Sequence, residues 1–166
     1  FNVEDAVIVN EGSLQRGLFR TTYFNTYEAH EETEKIAGFK IQNKFMSHKS
    51  SNIIGLKAGY NYDLLDSESG LIKEEVEINE KTILIGKAAN SLTNLDTFID
   101  SSVGPKKGQV GTVDKSFMTR GQEGKRIAKV RIRGERIPQM GDKFCSRAGQ
   151  KGTIGIILPE CDMPCT

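Results

Sequence analysis

The chain has 166 residues, 37% of them hydrophobic, and a formal net charge of +1. That length suits one domain or one and a half. No apolar run approaches membrane-spanning length and no signal peptide opens the chain; three cysteines, an odd count without a framework, argue against a secreted disulfide scaffold.

The net charge hides an asymmetry. Residues 1–100 hold 16 acids and 10 bases, net −6, whereas residues 101–166 hold 6 acids and 13 bases, net +7. Between Arg120 and Lys151 ten bases stand against three acids, so this stretch is expected to attract polyanions. Cys161 and Cys165 are four apart, but His30 and His48 are remote in sequence. Thiols in a reducing compartment are expected rather than a four-ligand zinc site. The chain starts at Phe1 rather than at methionine, inside what reads as a strand or turn, so the expectation is a fragment of a longer chain.

In chain order the pattern is mostly β. Val7-Ile8-Val9 is a short apolar run that suits a buried strand. Residues 13–16 suit a helical turn. Residues 20–27 are rich in β-branched and aromatic side chains, as strands are. Residues 28–35 form an acidic cluster, read as a solvated turn or a short helix end. Asp63, Asp66, Ser67 and Ser69 supply turn chemistry. Val76 and Ile78 sit between glutamates, and residues 82–86 are a second strand candidate. Residues 88–108 are polar and read as a long loop or insertion. Ala128, Val130 and Ile132 alternate with Lys129, Arg131 and Arg133, the period-two pattern of a half-buried strand with its cations on one face. Residues 121–124 suit the hairpin turn leading into it, Pro138 ends it, and residues 153–158 form the last strand. Many short strands with glycine-rich turns suggest a barrel or sandwich.

The most informative segment is 141–155. It spaces Lys143, Arg147 and Lys151 four apart, with no acid between Asp142 and Glu160, and Gly149, Gly152 and Gly155 leave little bulk in the way of a ligand. Such cations can make strong charge-assisted hydrogen bonds to a polyphosphate or a nucleic-acid backbone; the plainer alternative is a solvated basic loop between strands. The order Gly-Gln-Lys-Gly-Thr is not a P-loop, and glycines three apart are not a dinucleotide fingerprint. Side chains rather than a backbone nest would therefore hold any phosphate. Arg147 either grips a phosphate or braces the loop through a carboxylate such as Asp142. Gln150 either donates to a nucleic-acid backbone or caps the turn. Phe144 suits the core, and Arg131 and Arg133 suit a solvated or subunit-facing strand face.

Gly141-Asp142-Lys143-Phe144 through Gly149-Gln150-Lys151-Gly152-Thr153, followed by Asp162-Met163-Pro164, resembles the second-largest subunit of multisubunit DNA-directed RNA polymerases. Phe1-Asn2-Val3-Glu4-Asp5-Ala6-Val7-Ile8-Val9-Asn10 is similar to that family's acidic-pair segment. Arg16-Gly17-Leu18-Phe19-Arg20 is closer to its eukaryotic, archaeal and large-DNA-virus branch than to the bacterial one. Val130-Arg131-Ile132-Arg133 and Ile137-Pro138-Gln139-Met140-Gly141-Asp142 follow in the family's order. The middle, residues 38–104, matches loosely. Ala148 stands where the family usually has His, and Cys165 where it usually has an aromatic residue; with the wording of residues 10–13, these departures suggest a divergent viral copy.

The resemblance implies part of a hybrid-binding region across residues 1–166, within which the polar stretch 88–108 is the loop or insertion read above. It implies a mainly β fold, part of a double-psi β-barrel with loop insertions and short helices. A second barrel, on the largest subunit, would carry the main magnesium site. By resemblance Lys143 and Lys151 are catalytic cations that contact the RNA 3′ end or the incoming nucleotide, and Glu4 and Asp5 lie near the second Mg2+; in their functional alternatives, read from the residues, Arg147 and Gln150 join the lysines in binding nucleic acid. The implied partners are the largest subunit and other polymerase subunits, the DNA template, the RNA transcript and NTPs. The implied place is the nucleus or cytoplasm, or the virion or virus factory for a viral copy. The alternative is a non-enzymatic RNA-binding β-barrel module; it has no use for carboxylates beside bound phosphates.

Overall fold

The computed structural model describes residues 4–36, 38–49, 52–91, 96–121 and 123–164. In chain order the elements are β1 (Ala6–Asn10), α1 (Glu11–Gln15), β2 (Thr21–His30), β3 (Thr33–Ile36), β4 (Phe39–Phe45), β5 (Ile53–Ile54), β6 (Glu77–Ile78), β7 (Lys87–Asn90), β8 (Phe98–Asp100), β9 (Gly111–Arg120), β10 (Arg126–Arg136), β11 (Lys143–Cys145) and β12 (Lys151–Leu158), closed by a 3-10 turn at Glu160–Asp162. The mainly β expectation holds. The chain divides into two units, Phe1–Tyr23 with Glu135–Thr166, and Phe24–Gly134.

The larger unit contains a sheet in the order β2-β10-β9-β6 and a sheet in the order β3-β4-β7-β8-β5. The alternation in β10 is realised as expected. Ala128, Val130 and Ile132 are 0% exposed, and the intervening cations meet acids: Lys129 pairs with Glu28 at 3.0 Å and Arg133 with Asp114 at 3.3 Å. The β9–β10 hairpin closes where expected. Gly121 N–H donates to the Lys125 carbonyl at 2.8 Å, and Gly124 takes the left-handed conformation, φ +73°, that the turn requires; Gln122 lies outside the described residues. The strand ends at Arg136, two residues before Pro138.

Three expectations for this unit are corrected. Residues 82–86 form no strand. They run through the core centre, with Ile83, Leu84 and Ile85 all 0% exposed and only isolated bridges from Thr82 to Asn61 and from Ile85 to Leu71 and Val103. A continuous apolar run carries no period that separates a strand from another buried segment. Residues 88–108, expected as a loop, hold most of β7 and all of β8; these strands of 4 and 3 residues are too short to signal themselves by alternation. The acidic cluster at 28–35 is neither turn nor helix end, because β2 continues through His30 and β3 begins at Thr33. Two of its acids are ion-paired: Glu28 with Lys129, and Glu31 with Arg126.

The smaller unit is built on a three-stranded sheet in the order β1-β12-β11, with β1 parallel and β11 antiparallel to β12. Val9, Leu14 and Ile154 form its core, with Phe144 and Ile157 packed against them. Only Val9 of the apolar run 7–9 is buried; Val7 and Ile8 are exposed. The helical turn expected at 13–16 lies slightly earlier, as α1. The Asn10 side chain caps it by accepting from Gly12 N–H at 2.8 Å. It stops at Gly17, φ +105°, where Leu18 N–H donates to the Ser13 carbonyl and Gly17 N–H to that of Leu14, the bond pair of a Schellman motif.

Candidate functional site

The cations spaced four apart lie on a β-hairpin. β11 and β12 are joined through Ser146 and Gln150, whose N–H and carbonyl bond at 3.0 Å, around the three-residue loop Arg147-Ala148-Gly149. Gly149 has φ +84°, the left-handed position that such a loop needs after its turn. Lys143 is paired across to Thr153, Phe144 to Gly152 and Cys145 to Lys151. Directly opposed residues share a face, and neighbours along a strand alternate. Lys143, Cys145, Lys151 and Thr153 therefore stand on one face, and the first three are exposed. Lys143 and Lys151 are diagonal neighbours, with Cα atoms roughly 7–8 Å apart. Arg147 is at the exposed tip.

Phe144 takes the opposite face, as expected of a core residue, and its ring stacks on Phe19 with centroids 4.9 Å apart. A Cβ at Gly152 would come within 3.2 Å of the Phe144 ring, so a bare α-carbon there lets the ring lie flat on β12.

The acidic pair precedes β1 in a turn. Glu4 and Asp5 are both exposed, and Asp5 takes a left-handed φ of +65°. The Asp5 carbonyl accepts from Thr153 N–H at 3.0 Å, and Ala6 is registered on Thr153. Thr153 thus has the acidic turn on one flank and Lys143 on the other. A cavity of about 410 Å³ is lined by Asp5, Ser146, Gln150 and Lys151 among others. A second, of about 510 Å³, is lined by Phe19, Arg20, Arg136, Asp142 and Lys143, and Phe144 lines both. The structure therefore groups Asp5, Gln150 and Lys151, and sets Lys143 in the adjoining concavity.

Charge pairing sharpens the site. Of the basic stretch, Lys125, Arg126, Lys129, Arg131, Arg133 and Arg136 each have an acidic partner. Among the described residues Lys143, Arg147 and Lys151 have none. Much of the basic excess in the sequence is neutralised by folding, and the hairpin keeps its share. The carboxylate of Asp142 is engaged by Arg136 at 2.7 Å rather than by Arg147. The turn is closed by the Gln150 carbonyl, and Gln150 itself is exposed.

Sequence reasoning missed Arg20, Arg136 and the work of Asp142. Arg20 lies 3.9 Å from Glu135. Every polar atom of Asp142 is used: Oδ1 accepts from Arg136, Oδ2 from Gln139 N–H at 3.0 Å, its carbonyl from Ile154 N–H at 3.0 Å, and its N–H donates to the Gln139 carbonyl at 3.1 Å. Gly141 at φ +90° permits this tight turn; the Gly-Asp order was the available signal.

Among the described residues no three His, Cys, Asp or Glu side chains form a metal-binding group. Glu4 and Asp5 offer hard carboxylate oxygens, the donor type magnesium prefers. Cys145 and Cys161 are exposed free thiols, and Cys165 lies outside the described residues, as do Phe1, Asn2 and Val3. No helix among the described residues is long and apolar enough to cross a membrane.

Fold and site together define a mainly β protein that presents an uncompensated cationic hairpin beside an acidic turn. The chain belongs to the family described as RNA polymerase Rpb2, domain 6, whose model matches residues 1–166. It is 36% identical over 174 residues to DNA-directed RNA polymerase subunit Rpo2 of Saccharolobus solfataricus, covering 100% of this chain and 15% of that protein. It is 38% identical over 173 residues to DNA-directed RNA polymerase II subunit RPB2 of Schizosaccharomyces pombe, covering 99% of this chain and 14% of the relative. With DNA-directed RNA polymerase II subunit 2 of Arabidopsis thaliana the identity is 36% over 173 residues, covering 100% of this chain and 14% of the relative. The chain thus spans 14–15% of the length of these relatives.

Proposed function

We propose that the chain forms part of the catalytic surface of a DNA-directed RNA polymerase, within a hybrid-binding region built on a double-psi β-barrel. The reaction is template-directed nucleotidyl transfer, in which an RNA 3′-hydroxyl attacks the α-phosphate of an NTP and pyrophosphate leaves. The observation that carries this reading is the ladder across β12, which sets the acidic turn and Lys143 on either side of Thr153, with Lys151 diagonal to Lys143. The parallel β1–β12 pair supports the barrel assignment.

Lys143 and Lys151 compensate the negative charge at the reacting phosphate and the RNA 3′ end. Fixed cations do this best where water is excluded. At an effective dielectric of ~20 a unit-charge pair at about 4 Å interacts by roughly 4 kcal/mol, before the lysine's desolvation is subtracted. Arg147 and Gln150 hold the nucleic-acid backbone. Glu4 and Asp5 would hold the second magnesium, which supplies charge compensation to the leaving pyrophosphate oxygens. The partners are the largest subunit, which bears the main metal site, other polymerase subunits, template, transcript and NTPs. The place is the nucleus or cytoplasm.

In the assembled polymerase, Lys143→Ala and Lys151→Ala are each expected to slow nucleotide addition about 10- to 100-fold and to leave subunit assembly unchanged. Single-turnover extension of a scaffolded transcript measures the first, and gel filtration the second. Wild-type extension by both variants, with only RNA affinity reduced, would establish the non-enzymatic RNA-binding role instead.

A further inference from the structure

We infer that Arg136 and Asp142 are positioning residues for Lys143. β11 is only 3 residues long, so its own ladder bonds hold its register weakly. One end is tied by the hairpin loop. The other is tied by Asp142, all of whose polar atoms are engaged and whose carboxylate receives Arg136. The residue that follows is Lys143, registered on Thr153, whose N–H donates to the Asp5 carbonyl. Any give at Asp142 therefore moves the Lys143 amine relative to the acidic turn. A one-residue slip would turn Lys143 to the Phe144 face.

The Arg136–Asp142 pair is partly solvated, with side-chain exposures of 64% and 28%. An ion pair that open contributes little to global stability, whereas a misplacement of about 1 Å in a reacting group slows a reaction by as much as about 100-fold. The pair consequently acts on geometry more than on folding. Arg136 and Lys143 also line the same cavity.

The inference rests on the role proposed for Lys143, and its test separates the two. In the assembled polymerase, Arg136→Leu is expected to lower the maximal rate of nucleotide addition about tenfold, with the apparent KM for NTP changed less than about twofold. Arg136→Lys, which restores a donor to Asp142, should recover most of that rate. In a Lys143→Ala background Arg136→Leu should add nothing, since residues acting through one another are not additive. Multiplicative losses in the double variant, or a wild-type rate for Arg136→Leu, would overturn the inference while leaving the role of Lys143 standing. A wild-type rate for Lys143→Ala would remove both. If Arg136→Leu does not assemble, Asp142→Asn keeps an acceptor for Gln139 N–H. It should then show a smaller loss of rate that vanishes in the Lys143→Ala background, and persistence of that loss there would again overturn the inference.

Discussion

Glu31 shows how one residue couples distant strands. Its side chain is 16% exposed. It accepts from Arg126 Nε at 2.9 Å and from Phe45 N–H at 3.0 Å. Burial pushes its carboxyl up, but the Arg126 bond, the Phe45 amide and the guanidinium charge together outweigh burial and hold it below the usual 4.5. Arg126 is raised in turn, chiefly by its bond to Glu31. A lowered carboxyl means that the unfolded chain takes up protons at a higher pH than the folded one. The stabilisation is therefore complete above about pH 4.5 and is lost as pH falls through the folded value. Glu31→Gln is expected to destabilise the protein by about 1–3 kcal/mol at pH 7 and to flatten the decline in acid. Urea unfolding midpoints at pH 7 and in mild acid check both; an unchanged acid slope in the variant would contradict the assignment.

At the scale of the element, the cationic hairpin depends on one backbone conformation. A Cβ at Gly149 would meet nothing within 4 Å, yet φ there is +84°. Substitution is therefore penalised through the backbone alone, and Gly149→Ala should destabilise the protein by about 1 kcal/mol. Thermal unfolding reads that loss. A crystal structure of the variant should show Arg147 displaced with the loop tip, and Lys143 kept in register by Asp142. A hairpin that shifts register with the substitution would mean that the loop, and not the Asp142 turn, sets the position of Lys143.

For the whole molecule the questions are charge and completeness. Folding pairs six cations of the basic stretch with acids, three of which, Glu28, Glu31 and Glu75, come from the acidic half of the sequence, and the hairpin cations stay open. The family relatives are far longer than this chain, which covers 14–15% of them. On the proposed function the principal metal ligands belong to the largest subunit. The 166 residues by themselves are accordingly expected to make no RNA. Primer extension on a scaffold with Mg2+ and NTPs tests this, and template-dependent product from the chain alone would refute the shared-site reading.

Local order was legible in the sequence wherever it is written in neighbouring residues. The alternation of Ala128, Val130 and Ile132, the turn at Gly121 and Gly124, the stop before Pro138 and the segment carrying Lys143, Arg147 and Lys151 all depend on short-range periodicity or backbone preference, and the motifs at 141–153 identified the family. The remainder was decided by contacts far apart in the chain, which no local pattern encodes. Residues 83–85 became core centre without becoming a strand, because Asn61, Leu71 and Val103 come to meet them. Glu31, in the link between β2 and β3, is held by Arg126, 95 residues away, which takes its carboxylate. Asp142 serves Arg136 rather than Arg147, and an even spacing of four became two diagonal lysines and a tip once the chain reversed at Gly149. Periodicity reports which face a side chain takes; only the folded chain settles which opposite charge, or which strand, it meets there.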